Sequence, residues 1–194
     1  MSELDDLVAA LAPVVVAFRQ LEVRHYVGGS VASSFHGAAR STMNVDLVCE
    51  FAADQIEAFV ACFDTDYYVS ESAIRQAFRR KSCFNLIHLP TSFKVDVFVS
   101  RQRPFDLESM RRATPECLGQ NRTVEVPIAT AEDAIISKLE WYRKTDETSE
   151  RQWDDVSRLI TLLGDTVDLI YLRSAAESVG VSELLERLID HQVG

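Results

Sequence analysis

Gly28-Gly29-Ser30 close an apolar run, and Asn44 and Asp46 follow within the same stretch, VGGSVASSFHGAARSTMNVD at residues 27–46. Adjacent glycines let backbone N–H groups reach an anion with no side chain in the way. Where a helix begins at such a turn, its unpaired N–H groups and dipole favour negative charge, and Ser30 adds a hydroxyl. Residues 44 and 46 are two apart, so on a strand their side chains share a face. The parts are those needed to hold a triphosphate at one end and a metal ion at the other. Lys94 and Asp96 share the polar face of a second apolar run, residues 93–98. If the two strands are neighbours, a spacing of about 4.8 Å brings Asp46 and Asp96 together. Two carboxylates at that distance repel unless one is protonated or a cation lies between them. Magnesium suits such a place, since it takes oxygen ligands, keeps waters and completes its shell with substrate phosphates.

These residues need a scaffold, and the sequence pattern supplies one. Ser2 caps a first helix whose apolar positions Leu4, Leu7, Val8, Leu11, Val15 and Phe18 recur at three- and four-residue intervals. Residues 23–27 read as a strand, 30–36 as a short helix ended by Gly37, and 44–51 as a strand apolar enough to be central in its sheet. The pattern then predicts a helix over 53–63, a short strand at 67–69, a helix over 71–79, and strands at 82–89 and 92–99 joined in a hairpin at Pro90-Thr91. A short helix over 104–112 precedes irregular chain and a strand around 122–126. Beyond Pro127 every pattern is helical, over 129–143, 149–163, 167–178 and 181–189. The fold class expected is α+β: a mixed β-sheet flanked by helices over residues 1–127, then a C-terminal helical domain over 128–194.

The chain has 194 residues, 47% of them hydrophobic and 26% charged, which is the composition of a globular protein. No run approaches the roughly 18 apolar residues of a membrane span. The acidic start Met1-Ser2-Glu3-Leu4-Asp5-Asp6 is unlike a signal peptide, so a cytoplasmic location is expected. Cys49, Cys62, Cys83 and Cys117 lack zinc-site spacing and are expected as reduced, mostly buried thiols. His25, His36, His88 and His191 lack ligand spacing and are expected to be structural, while Trp141 and Trp153 are expected to pack between helices. A net charge of −10 argues against nonspecific nucleic-acid binding by the whole chain. Between Ser72 and Arg112, however, nine basic residues stand against three acidic ones, a local +6 that leaves −16 for the remainder. That block is either a solvated face or a surface for an anionic substrate.

The order Gly28-Gly29-Ser30, Gly37-x-x-Arg40-x-Thr42-x-Asn44-x-Asp46 and a later Asp96 resembles the polymerase-β-like nucleotidyltransferase superfamily. More closely, FNLIH at 84–88, FKVDVFV at 93–99, AEDAIISKLEWYR at 131–143 and SERQWDDV at 149–156 resemble bacterial AbiEii-like nucleotidyltransferase-fold proteins, over nearly the whole chain. The resemblance implies that Gly28, Gly29 and Ser30 hold nucleotide phosphates, with Asp46 and Asp96 holding Mg²⁺ or Mn²⁺. Lys94 or Arg40 is expected to offset phosphate charge, with Arg40 alternatively pairing with a nearby acid. The resemblance further implies that Lys138 contacts the triphosphate and that Asp155 supports the site, the alternative for Lys138 being a solvated neighbour of core residues Ile135, Leu139 and Tyr142. One position departs from the pattern. Asn44 stands where the family has its first catalytic carboxylate, and it is expected to turn a carbonyl oxygen to the ion as a weak neutral ligand, without charge. Removing a key electrostatic contact of this kind costs about two to three orders of magnitude in rate. Glu50 lies four residues after Asp46, on the same face of a regular strand.

Three functions follow as expectations. The first is transfer of a nucleoside monophosphate from an NTP to an acceptor on RNA, protein or a small molecule. The second is a catalytically degenerate module binding a nucleotide or a cognate protein partner, as a toxin–antitoxin-like component would. The third is nucleic-acid binding through the basic block, steeply weakened by salt.

Overall fold

In the computed structural model, which describes residues 2–38, 41–120 and 123–193, a seven-stranded mixed sheet is flanked by helices. Arg40 and Arg122 lie outside the described residues. In chain order the elements are α1 (Glu3–Gln20), β1 (His25–Val27), α2 (Gly29–Phe35), β2 (Asn44–Cys49), α3 (Ile56–Val60), β3 (Tyr67–Tyr68), α4 (Glu71–Arg80), β4 (Cys83–His88) and β5 (Phe93–Val99). They continue with α5 (Pro104–Arg112), β6 (Thr114–Leu118), β7 (Val124–Ile128), α6 (Ala131–Lys144), α7 (Glu150–Leu163), α8 (Leu169–Val179) and α9 (Ser182–Val193). The strand order is β3-β4-β5-β2-β1-β7-β6. β2 and β5 run parallel at its centre, as do β1 and β7, while the remaining neighbours are antiparallel. Among the described residues no helix is long and apolar enough to cross a membrane.

Alternation divides the sheet into two unlike faces. Val45, Leu47 and Cys49 of β2, Val95, Val97 and Val99 of β5, and Phe84 and Leu86 of β4 point into one buried cluster. There α1 and α4 cover them. Ser2 caps α1 through a reciprocal pair of bonds with Asp5, as the sequence signature requires. The opposite face carries Asn44 and Asp46 beside Lys94 and Asp96. Behind it, α6 to α9 enclose a second cluster that takes in Ala38 and Phe105 from earlier in the chain.

Several expectations need correction. The segment 53–63 is not one helix: Ala53–Gln55 forms a 3₁₀ turn, and α3 stops at Val60 once Ile56 and Phe59 are seated in the core. The stretch expected to be irregular before residue 122 contains β6. Pro115 argues against a strand by pattern, yet β6 is the outermost strand, where a missing N–H costs little, and Pro115 faces Pro127 across the ladder. The strand expected around 122–126 is β7, Val124–Ile128, which takes in Pro127 and ends beside Val27. Only Cys49 is a buried thiol; Cys62, Cys83 and Cys117 are exposed. Trp141 is half-exposed and meets the sheet residue Phe98, whereas Trp153 packs between helices against Tyr142.

The face away from the carboxylates is held by rings. Phe59 is fully buried and contacts Phe18, Phe51, Phe63 and Phe84 with centroids 5.0–6.2 Å apart. Truncating it opens a cavity no neighbour can fill. Phe59→Ala is expected to lower unfolding free energy by about 3–5 kcal/mol in urea denaturation, and a loss under about 1 kcal/mol would contradict this packing.

Candidate functional site

The parallel pairing of β2 with β5 sets Asp46 directly opposite Asp96 and Asn44 opposite Lys94. All four side chains therefore project from one face of adjacent strands. On the far side of β5, Asn85 is the register partner of Asp96, so the row across the sheet reads Asn85, Asp96, Asp46. Asp96 is buried and Asp46 partly so. Burial, then the neighbouring Asp96, push the Asp46 carboxyl up to about 6. Lys138, Lys94 and the Ser30 backbone N–H act the other way, favouring its ionised form.

Asn44 bridges the two acids. Its Nδ2 donates to Asp46 Oδ1 at 3.2 Å and to Asp96 Oδ2 at 3.0 Å. Its Oδ1 accepts from the Thr42 hydroxyl at 2.9 Å. Ionised carboxylates only accept, so the amide that satisfies both must turn its NH₂ toward them. The carbonyl oxygen expected to face an ion is the atom that faces Thr42 instead. Thr42 is itself anchored from a distance, its backbone N–H reaching Glu3 Oε1 at 2.7 Å while the Ser41 hydroxyl donates to the same carboxylate at 2.8 Å. The first turn of α1 thus steadies the entry to β2. Nothing in the local pattern around Glu3 signals that role.

The glycine turn stands against the same carboxylate. The Gly28 N–H donates to the Asp46 carbonyl at 2.8 Å, and α2 begins at Gly29 with φ +57°. A Cβ on Gly29 would lie 1.7 Å from Asp46 Oδ2 and 2.6 Å from its Cγ, so only glycine fits on both conformational and steric grounds. The Ser30 N–H bonds the Asp46 carboxylate. Gly28, Gly29, Ser30, Asn44, Asp46, Lys94 and Asp96 thus meet in one place.

The remaining expected residues divide. Lys138 of α6 and Asp155 of α7 are buried, with Nζ 2.7 Å from Oδ2, and the Lys138 charge acts on Asp46. Lys94 lies 3.0 Å from Asp96 Oδ2 with its side chain 44% exposed. Arg40 falls outside the described residues. Glu50 is engaged by Arg24 at 3.1 Å, beyond the end of β2, about 13 Å along the chain from Asp46 at the usual strand rise. It adds no third acid to the pair. Most of the basic block is spent within the molecule: Arg75 on Glu71, Lys94 on Asp96, Arg101 on Glu140, Arg103 on Asp106 and Glu140, Arg111 on Glu108, and Arg112 on Glu132 and Asp133. The described histidines are structural, bonding Val23 O, Ala129 O and the Thr91 hydroxyl.

No family model matches the chain, and no curated protein matches it. Solved structures do. An antigenic nucleotidyltransferase-like protein from Paracoccidioides brasiliensis superposes with a TM-score of 0.52 at 19% identity, over 95% of this chain and 93% of that one. The chain has a nucleotidyltransferase-like fold. ANT(2'')-Ia in complex with adenylyl-2''-tobramycin shares it with a TM-score of 0.50 at 14% identity, over 88% of this chain and 97% of that one. As donors, Asp46 and Asp96 are hard oxygen ligands of the kind Mg²⁺ takes, and they fit one such ion with water and phosphate completing the shell. Among the described residues no group of three or more His, Cys, Asp or Glu has a metal-holding arrangement.

Two outcomes follow from this geometry. Gly29→Ala is expected to destabilise the protein by about 1–3 kcal/mol and to cost measurably less in an Asp46→Ala background, the cycle reporting a steric coupling; additive losses would contradict the contact. The folded protein holds the Asp46 proton more tightly than the unfolded chain, so stability contributed by this group falls as pH rises from the ordinary value 3.8 through about 6. Urea denaturation in chelator should show that component in the wild type and its absence in Asp46→Asn.

Proposed function

We propose that the protein transfers a nucleoside monophosphate from an NTP to an acceptor hydroxyl, releasing pyrophosphate, in a reaction that depends on Mg²⁺ or Mn²⁺. The observation that carries this reading is the register of Asp46 against Asp96 with the Asp46 carboxylate seated on the Gly28-Gly29-Ser30 turn. A divalent ion bound by Asp46 and Asp96 would supply positive charge for the phosphates and the leaving group. The chain's own residues do the rest. Apart from the Gly28 and Ser30 N–H groups that Asp46 takes, the backbone N–H groups at the start of α2 orient the triphosphate. Lys94, half-exposed beside Asp96, can turn to a phosphate oxygen. The buried Lys138–Asp155 pair joins α6 to α7 and keeps positive charge near Asp46. Most of the catalytic effect is then positioning and electrostatics.

Acceptors of three kinds suit this reading: RNA, a protein or a small molecule. We favour the small molecule, because an adenylated one, adenylyl-2''-tobramycin, accompanies a protein of the same fold. The finer likeness to bacterial AbiEii-like proteins, and with it a cognate protein partner, belongs to the same proposal. So does a cytoplasmic location, where NTPs and reduced thiols are found.

Asn44 favours a second reading, a catalytically degenerate module that binds nucleotide or partner without chemistry. Its amide donates to both acids where a third carboxylate would add charge. One assay separates the two: each labelled NTP, with Mg²⁺ or Mn²⁺, is incubated with cell RNA, protein and small-molecule acceptors. Transfer by the wild type, reduced at least about 100-fold in Asp46→Ala and raised in Asn44→Asp, is the expected result. No transfer from the wild type or from Asn44→Asp with any nucleotide overturns the enzyme reading. Nucleotide-dependent thermal stabilisation in that case supports the binding module.

A further inference from the structure

We propose that this site takes a single divalent cation and that the Lys94 ammonium fills the place of a second. The inference rests on the nucleotidyl-transfer reading and sharpens it. A two-ion centre needs carboxylate oxygens enough to bridge the ions and hold each one. Here the acids are two, Asp46 and Asp96, and among the described residues no third His, Cys, Asp or Glu joins them in a metal-holding group. Glu50, which alternation assigns to the same face of the extended strand, is held by Arg24 beyond the strand's end.

The oxygens of the two acids are also unequal. Asp46 Oδ2 lies against Gly29, and its Oδ1 accepts from Asn44 at 3.2 Å. Asp96 Oδ2 accepts from Asn44 at 3.0 Å and from Lys94 Nζ at 3.0 Å. A positive charge of the chain's own therefore already sits on Asp96. Lys94 comes from the same strand two residues earlier, and its partners in register are Asn44 and Ile87, neither of them charged. Its pairing with Asp96 follows from strand geometry. The side chain is 44% exposed, so its stem can follow an incoming phosphate.

The charge count agrees. Two carboxylates, one ammonium and one divalent ion carry a net +1, the same as three carboxylates and two divalent ions. Asn44, standing where the resemblance implies a carboxylate, and the Lys94 ammonium thus offset each other in charge. A lysine at residue 94 and an asparagine at residue 44, opposite one another across the strands, form one unit. The protein keeps the electrostatics of a fuller site with a tethered cation in place of a diffusible one.

The test counts Mn²⁺ bound per chain by electron paramagnetic resonance, with each of the four non-hydrolysable α,β-methylene nucleoside triphosphates. The wild type is expected to bind one ion. Asn44→Asp should still bind one, more tightly, because Lys94 remains in place, and Asn44→Asp with Lys94→Met should bind two. Two ions in the wild type, two in Asn44→Asp alone, or one in the double variant, verified as folded by circular dichroism, overturns the proposal while leaving nucleotidyl transfer standing. No ion bound by the wild type with any nucleotide overturns both. The wild-type count decides the matter even where a variant does not fold.

Discussion

Two like charges held side by side on adjacent strands repel, and in a sheet that repulsion cannot relax without giving up the ladder. The register of β2 against β5 imposes this on Asp46 and Asp96. Much of what surrounds them answers it. The Asn44 amide donates to both, the Lys94 ammonium neutralises one, and the Ser30 N–H steadies the other. Burial, and after it what repulsion remains, pushes the Asp46 carboxyl up to about 6. On the reading proposed above, a cation held by both acids would relieve that repulsion further.

Local and distant parts of the chain meet at this point for stated reasons. The absence of a side chain on Gly29 is what lets the Asp46 carboxylate approach the first turn of α2. Glu3, at the opposite end of the sequence from the helical layer, holds residues 41 and 42 and so the amide that Thr42 orients. Lys138 and Asp155 carry the second buried cluster to the site, linking α6 and α7 by an ion pair that water scarcely reaches. Pairing is what makes such burial tolerable, since a lone charge there would cost several kcal/mol.

How much of this was legible in the sequence depended on whether the signal was periodic. Polar residues at every second position of two apolar runs announced that Asn44 would share a face with Asp46, and Lys94 with Asp96; that the two runs are neighbours was a condition, which the β2–β5 pairing meets. Helix caps and the hairpin at Pro90-Thr91 were equally local. β6 was hidden because Pro115 is a strand breaker everywhere but at an edge, and edge position is a property of the finished sheet. The short α3 was hidden because tertiary burial of Ile56 and Phe59, rather than a stop residue, sets its length. The basic block left a solvated face and an anion surface both open because sequence counts charges without their partners, and Glu132, Asp133 and Glu140 arrive from α6. The direction of the Asn44 amide depends on the two acids and Thr42 together, and no spacing encodes it.

On the reading proposed, the Asp46–Asp96 pair, bridged by Asn44 and seated on the glycine turn, receives a metal-bound nucleotide. The most direct measurement follows the Asn44 side-chain NH₂ and the Ser30 backbone amide by nuclear magnetic resonance while Mg²⁺ and a non-hydrolysable nucleoside triphosphate are added. Both groups bond the Asp46 carboxylate, and Asn44 bonds Asp96 as well, so both resonances are expected to shift on one saturating curve. Resonances that stay in place at saturating nucleotide, or that shift while those of a distant surface shift first, would contradict the account.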